Sequence, residues 1–275
     1  MQANGLQAHA LAIGYPGAPP LLQDASFGLQ AGRALVLLGA NGSGKSSLLR
    51  CLLGLLRPLA GRVSVGGQDV HALAPLRRAA LLAYVPQSAA GTFPFEVRDL
   101  VLMGRSRHLR FVRDPDTRDH AAVQQALERV GIGHLGGRRF DTLSGGERQL
   151  ALLARALAQD APCILLDEPC ASLDPGHQVA VLDALRDVLH KGCAVVMASH
   201  SPEHAWALDA QVLLIDQRRA LGPAPAASLL DSPTLSRLYD TAIEVLTLAH
   251  GAAAGQRVLV PLALRPPVGQ PRSGA

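Results

Sequence analysis

Apolar residues along this chain fall into two periods. Uninterrupted short runs at residues 34–38, 81–85, 163–166, 193–198 and 212–216 predict buried strands. Between them, apolar residues recur at helical spacing. Val123, Ala126, Leu127 and Val130 form one such face, Leu150, Leu153, Ala154 and Leu157 a second, and Val181, Leu185, Val188 and Leu189 a third. Residues 46–56 predict a helix directly after the first run, and residues 62–65 a strand turned by Gly66-Gly67. Residues 6–29 mix short β-like runs around a Gly/Pro turn at 15–20. A helix starting at 97–103 has Glu96 and Asp99 near its N-terminus, and residues 109–116 form a polar, arginine-bearing loop. The run at 212–216 reads as the last core strand. Residues 222–239 carry Pro and Ser punctuation and a short helix, and residues 258–264 add one strand. The alternation predicts a mostly parallel α/β sheet, with a helical part inserted from about residue 89 to 159.

Chemistry gathers where the apolar runs end. Residues 39–46 fit G-x-x-x-x-G-K-[ST], a loop whose consecutive N–H groups point at an anion. Gly39, Asn41, Gly42, Ser43, Gly44 and Ser47 shape it, Lys45 reaches phosphate oxygens, and the Ser46 hydroxyl suits Mg²⁺. Leu143-Ser144-Gly145-Gly146-Glu147 precedes a second helix, so the same physics makes it a second anion site. The 163–166 run ends in the paired acids Asp167 and Glu168, which suit a water-bridged Mg²⁺ and a group that orients or deprotonates water. Gln87 and His200 also lie at strand ends, where parallel sheets place ligand contacts. Gln87 also reads as a solvated loop residue, and Tyr15 as either turn packing or a flat surface for a nucleobase. His200 and His204 are four apart, but Pro202 lies between them and no third metal ligand is evident.

Composition narrows the class. The chain has 275 residues, 48% hydrophobic and 17% charged, which is globular and large enough for a sizeable core. Net charge is +4, spread along the chain apart from pairs such as Arg77-Arg78 and Arg138-Arg139, and aromatics are 3%. That combination argues against nucleic acid as a partner. Neither a membrane-length apolar run nor a signal-peptide pattern is seen, so a soluble chain is expected, reaching a membrane only through a partner. Cys51, Cys163, Cys170 and Cys193 lie in apolar segments without a C-x-x-C pair, as reduced cytoplasmic thiols do.

Taken in order, Gly39 to Ser46, Gln87, Leu143 to Glu147, Leu165 to Glu168, Ser172 to Asp174 and His200 resemble the motif series of ATP-binding-cassette ATPases. The resemblance covers almost the whole chain. It implies a P-loop NTPase (RecA-like) core with an antiparallel N-terminal β part, a single nucleotide-binding domain over 1–265 with its core at about 1–88 and 160–250, and a flexible tail at 266–275. It implies a head-to-tail homodimer enclosing two ATPs, each P-loop facing Ser144, Gly145, Gly146 and Glu147 of the other copy. Tyr15 then stacks on adenine. Ser46, Gln87 and, through water, Asp167 serve Mg²⁺. Glu168 is the general base, His200 senses the γ-phosphate, and Asp174 contacts across the dimer. The partners implied are an integral-membrane permease and, indirectly, a substrate-binding protein, with the chain peripheral on the cytoplasmic side of the inner membrane. A groove near Gln87 and residues 93–95 is the expected seat for a permease helix.

Residues 101–105 with His108, Phe111 and Pro115, and residues 235–239 with a later Val260-Pro261, resemble the importers of metal chelates: ferric siderophores, haem and cobalamin. Met-Gly-Arg-Ser-x-His and His200-Ser201-Pro202 are shared with molybdate and tungstate ATPases, so oxyanion import is the alternative. Glu147 stands where Gln is common, Cys170 where Thr often follows, and Tyr239-Asp240 where Tyr-Gly is usual. A soluble, non-transport cassette ATPase is the competing class; its usual second cassette, coiled-coil insertion or zinc module is not visible. A small-molecule kinase leaves residues 143–147 unexplained.

Overall fold

The computed structural model describes residues 5–87, 94–107, 114–171, 173–251 and 253–262. Phe93, His108, Phe111, Ser172 and the 266–275 tail lie outside them. The chain begins with β1 (Leu6–Ile13), β2 (Leu22–Leu29), β3 (Ala34–Leu38), α1 (Lys45–Leu52), β4 (Ala60–Val65), β5 (Gln68–Asp69), α2 (Pro75–Leu81) and β6 (Leu82–Val85). It continues through α3 (Val97–Leu102), α4 (Thr117–Arg129) and α5 (Gly145–Ala158) to β7 (Cys163–Asp167), α6 (Pro175–His190), β8 (Ala194–Ser199), α7 (Pro202–Ala207) and β9 (Gln211–Asp216). β10 (Arg219–Pro225), α8 (Ala226–Leu229), α9 (Ser232–Tyr239), β11 (Ile243–Thr247) and β12 (Arg257–Pro261) follow.

The first ten strands form one sheet in the order β5-β4-β1-β2-β10-β9-β3-β8-β7-β6. β9, β3, β8, β7 and β6 run parallel. β1, β2, β4 and β5 pair antiparallel. Every residue of β3, β7 and β8 is buried, because helices cover both faces of a parallel sheet. The pleat then sorts side chains by parity. Val36, Leu38, Ile164 and Leu166 join the core beneath α3, α4, α5 and α6, while Leu35, Leu37, Cys163 and Leu165 join the core around α1 and the antiparallel strands.

Caps and turns fix where the helices start. Asp116 accepts from the backbone of Arg118 and Asp119, and Asp119 returns a bond to the Asp116 backbone, so α4 opens on a reciprocal capping box. Pro at the first turn starts α2, α6 and α7. Arg105 Nε donates to the buried Asp119 at 3.0 Å and Arg105 Nη1 to the Ala158 carbonyl at 3.1 Å, joining the stretch after α3 to the start of α4 and the end of α5.

Three sequence expectations change. Residues 212–216 are not the last strand of the sheet. β10 turns back antiparallel on β9 and bridges β2 through Arg219 and Gln23, stitching the two halves together. Its Gly and Pro content hid it from a propensity reading. The single strand expected over 258–264 spans Arg257–Pro261 and pairs with a second strand, β11, as a separate hairpin. The helix expected over 46–56 ends at Leu52, where Gly54 takes φ +70°.

Candidate active site

The parallel register brings the ends of β3, β6, β7 and β8 to one edge. β3 delivers the loop 39–44, β6 delivers Gln87, β7 delivers Asp167 and Glu168, and β8 delivers His200. These residues are distant in sequence and meet because their strands are neighbours.

The loop is built for close packing. A Cβ on Gly39 would lie 2.6 Å from both the Ile215 carbonyl oxygen and Ser43 Oγ. Gly42 and Gly44 take φ +77° and +102°, which side-chain-bearing residues rarely adopt. Helix α1 starts at Lys45, so its first N–H groups have no carbonyl one turn back to bond. Lys45 is 5% exposed and donates to the carbonyls of Gly39 at 2.8 Å and Ala40 at 3.1 Å. Burial lowers its pKa, opposed by Glu168 and Asp167. Ser43 Oγ is buried without a hydrogen-bond partner. A lone buried hydroxyl costs about 1–3 kcal/mol. The unfilled donors and the buried ammonium fit a phosphate chain.

Asp167 lies two residues past Leu165, so pleat parity points it towards α1, and there it accepts from Ser46 Oγ at 3.0 Å. Burial raises its pKa, and the Ser46 bond works against that rise. An oxygen pair of this kind fits a hard divalent cation, which favours the charged carboxylate.

Glu168 sits at the meeting point. Its backbone takes φ +48°, uncommon for a non-glycine residue, and its N–H donates to the Ala198 carbonyl at 3.1 Å. This turn aims the carboxylate back across the strand ends. Gln87 Nε2 donates to Glu168 Oε2 at 3.1 Å. Lys45 Nζ is 3.9 Å from Glu168 Oε1, and His200 Nδ1 is 3.6 Å from Glu168 Oε2. One hydrogen-bond donor and two further nitrogens within 4 Å thus face one carboxylate, which can hold a water or take its proton.

Tyr15 is 43% exposed, and its hydroxyl lies 3.3 Å from Ser47 Oγ. That hydrogen bond is the main reason its phenol pKa is lowered. An exposed ring beside the loop is open to stacking.

Residues 144–147 are placed elsewhere, at the start of α5. Ser144 Oγ accepts from the Glu147 N–H at 3.2 Å, and Glu147 accepts from the Ser144 N–H at 2.7 Å. The backbone bond from Ser144 holds the Glu147 carboxyl below its ordinary range. The pair is therefore a helix cap in its own right. A Cβ on Gly145 would meet nothing within 4 Å, whereas one on Gly146 would lie 3.3 Å from Leu173 Cδ2. Asp174 caps α6, accepting from the His177 N–H at 3.0 Å and from its Nδ1 at 2.5 Å. Its carboxyl pKa is lowered, foremost by the His177 backbone bond.

His204 is buried with Nδ1 2.8 Å from Ser199 Oγ, while His200 faces Glu168. Among the described residues no group of three or more His, Cys, Asp or Glu is placed to hold a metal ion. Two contacts escaped the sequence reading. Gln149 Nε2 donates to the Pro86 carbonyl at 3.1 Å, and the Tyr239 hydroxyl donates to the His200 carbonyl at 2.7 Å. The first had a signal: Gln149 is a polar residue one turn before Leu153 on the apolar face of α5.

Comparison with known proteins identifies the family. A family model described as ABC transporter matches residues 22–171. A Haemophilus influenzae protein described as an uncharacterized ABC transporter ATP-binding protein is 39% identical over 88% of this chain and 91% of its own length. A hemin import ATP-binding protein of Nocardia farcinica is 40% identical over 87% of this chain and 82% of its own. A molybdate import ATP-binding protein of Haemophilus influenzae is 37% identical over 86% and 88%. Among solved structures, an inward-facing metal-chelate type ABC transporter superposes with a TM-score of 0.82 at 33% identity, covering 95% of this chain and 98% of that one. The fold, the strand-end constellation and these matches place the chain in the ABC transporter family, as an ATP-binding subunit with the family's ATPase core.

Proposed function

We propose that the chain hydrolyses ATP to power a membrane importer of metal chelates: a ferric siderophore, haem or cobalamin. The convergence of Lys45, Gln87 and His200 on Glu168 supports the hydrolysis, and the hemin, cobalamin and iron-chelatin importing relatives support the cargo. Lys45 and the 39–47 loop hold the phosphates, and Tyr15 stacks on the base. A water oxygen attacks the γ-phosphorus, the bond to the β–γ bridging oxygen breaks, and ADP and phosphate leave. Glu168 orients that water and takes its proton. His200 faces the developing charge on the γ-phosphate. Ser46, Gln87 and, through water, Asp167 would hold Mg²⁺, which would supply charge neutralisation.

Two copies are proposed to close head to tail over two ATPs, each supplying Ser144, Gly145, Gly146 and Glu147 to the other's nucleotide and Asp174 to the contact. The whole of 1–265 acts as one nucleotide-binding domain, with its helical part at about 89–159. No helix of the described residues is long and apolar enough to cross a membrane. Contact with the membrane is assigned to an integral-membrane permease, with this chain peripheral on the cytoplasmic side and a substrate-binding protein as an indirect partner. Phe95 is 44% exposed, which supports a permease helix docking on it.

Glu168→Gln tests the chemistry. The variant is expected to bind ATP, accumulate as a dimer in gel filtration and lose at least ~100-fold in turnover. Normal hydrolysis would remove Glu168 from its role. The molybdate-importing relative favours oxyanion as the second cargo. Uptake assays with iron chelates, haem, cobalamin and molybdate separate the two.

A further inference from the structure

The Tyr239 hydroxyl donates to the backbone carbonyl of His200 at 2.7 Å, across 39 residues of sequence. We propose that Tyr239 is a positioning residue for His200, through which α9 and the β11–β12 hairpin hold the imidazole at its distance from Glu168. The proposal rests on the role given to His200 above.

His200 follows the last residue of β8 and is itself half exposed. A histidine side chain has only two torsions, so the reach of its ring is set by its backbone. That backbone is pinned on both sides. Ser199 Oγ accepts from the Ser201 N–H at 3.0 Å and bonds His204 Nδ1 at 2.8 Å. The Ser201 N–H and the His200 carbonyl share one peptide plane, so Ser199 Oγ holds that plane at its N–H edge and Tyr239 holds it at the carbonyl edge.

Tyr239 has a firm base from which to do this. Leu235 and Leu238 of the same helix are buried in the main core. Asp231 caps the helix by accepting from the Thr234 N–H at 2.8 Å. Ser236 Oγ accepts from the Ile243 N–H at 2.9 Å, and Ser232 Oγ accepts from the Val245 N–H at 2.9 Å. Hairpin, helix and His200 carbonyl are thus joined by consecutive hydrogen bonds. Burial pushes the Tyr239 phenol up to about 12, so it remains a donor at neutral pH.

The test is Tyr239→Phe in the full chain, which keeps the ring and removes the donor. A fall of about five- to tenfold in kcat is expected, with KM for ATP within about twofold. The ¹³C carbonyl resonance of His200 should move as its hydrogen bond is lost. In a His200→Ala background, where single-turnover rates are compared, Tyr239→Phe should add nothing. An unchanged kcat in Tyr239→Phe alongside lost turnover in His200→Ala overturns the proposal while sparing the role of His200. So does an undiminished Tyr239→Phe effect in the His200→Ala background, which would mark a merely structural contribution. Normal turnover in His200→Ala itself removes the role of His200, and the proposal with it.

Discussion

Ser46 Oγ donates to Asp167 Oδ1 at 3.0 Å, joining the first turn of α1 to the tip of β7. Asp167 is 4% exposed, and burial raises its pKa. Its ionised form is therefore costly in the folded chain. Asp167→Asn keeps an acceptor for Ser46 and removes the charge. The expected outcome is a thermal midpoint equal to or above that of the parent in the absence of nucleotide, with ATP turnover lower by about 100-fold or more. Differential scanning fluorimetry and a phosphate-release assay check both halves; a clear loss of stability would count against the account of Asp167.

Gln149 holds the Pro86 carbonyl at 3.1 Å, one residue before Gln87. Gln149→Leu leaves that carbonyl without its donor, at a cost of about 1–3 kcal/mol in stability. Because α5 also carries residues 145–147, the same change should blunt the response of Gln87 to whatever moves α5. A fall in permease-stimulated ATPase larger than the fall in basal rate is expected in reconstituted transporter.

Arg105 bonds both the buried Asp119 and the Ala158 carbonyl. Arg105→Ala removes one guanidinium contact from an acid that is 1% exposed. Removing one member of a buried pair typically costs about 3–5 kcal/mol. Urea unfolding should show a loss approaching that size. A change below about 0.5 kcal/mol would mean that Arg105 is not what holds Asp119 in place.

His204 provides a pH test. Burial foremost, and then His200, push its imidazole below the ordinary histidine range. As pH falls through about 6.5 the unfolded chain binds a proton that the folded chain resists. The stability tied to a neutral His204 is thus full above that pH and is lost as the pH drops towards the lowered folded value. His204→Gln keeps a polar partner for Ser199 Oγ and removes the titration. Its thermal midpoint should fall less than the parent's between about pH 7.5 and 5.5.

Much of the site was legible because strand ends announce themselves. An apolar run closing in Asp167-Glu168, or breaking into a glycine loop before Lys45, carries its meaning locally. The joins between segments did not. Gln149 to Pro86 and Tyr239 to His200 are side-chain contacts to a distant backbone, which no local pattern encodes. β10 was hidden by Gly222 and Pro223, since strand formation there follows from pairing with β9 rather than from propensity. The φ of +48° at Glu168 was equally silent, because the surrounding structure imposes it.

The alternating sides of β7 turn that strand into a counter. Cys163 and Leu165 share Asp167's side, and Ile164 and Leu166 take the other. Exchanges among Leu, Ile and Val here would alter packing by small increments. Removing a single residue would instead reverse every later side, sending an acid into the helical core and withdrawing it from Ser46. The apolar residues before the acids therefore have a tolerant spelling and an intolerant length.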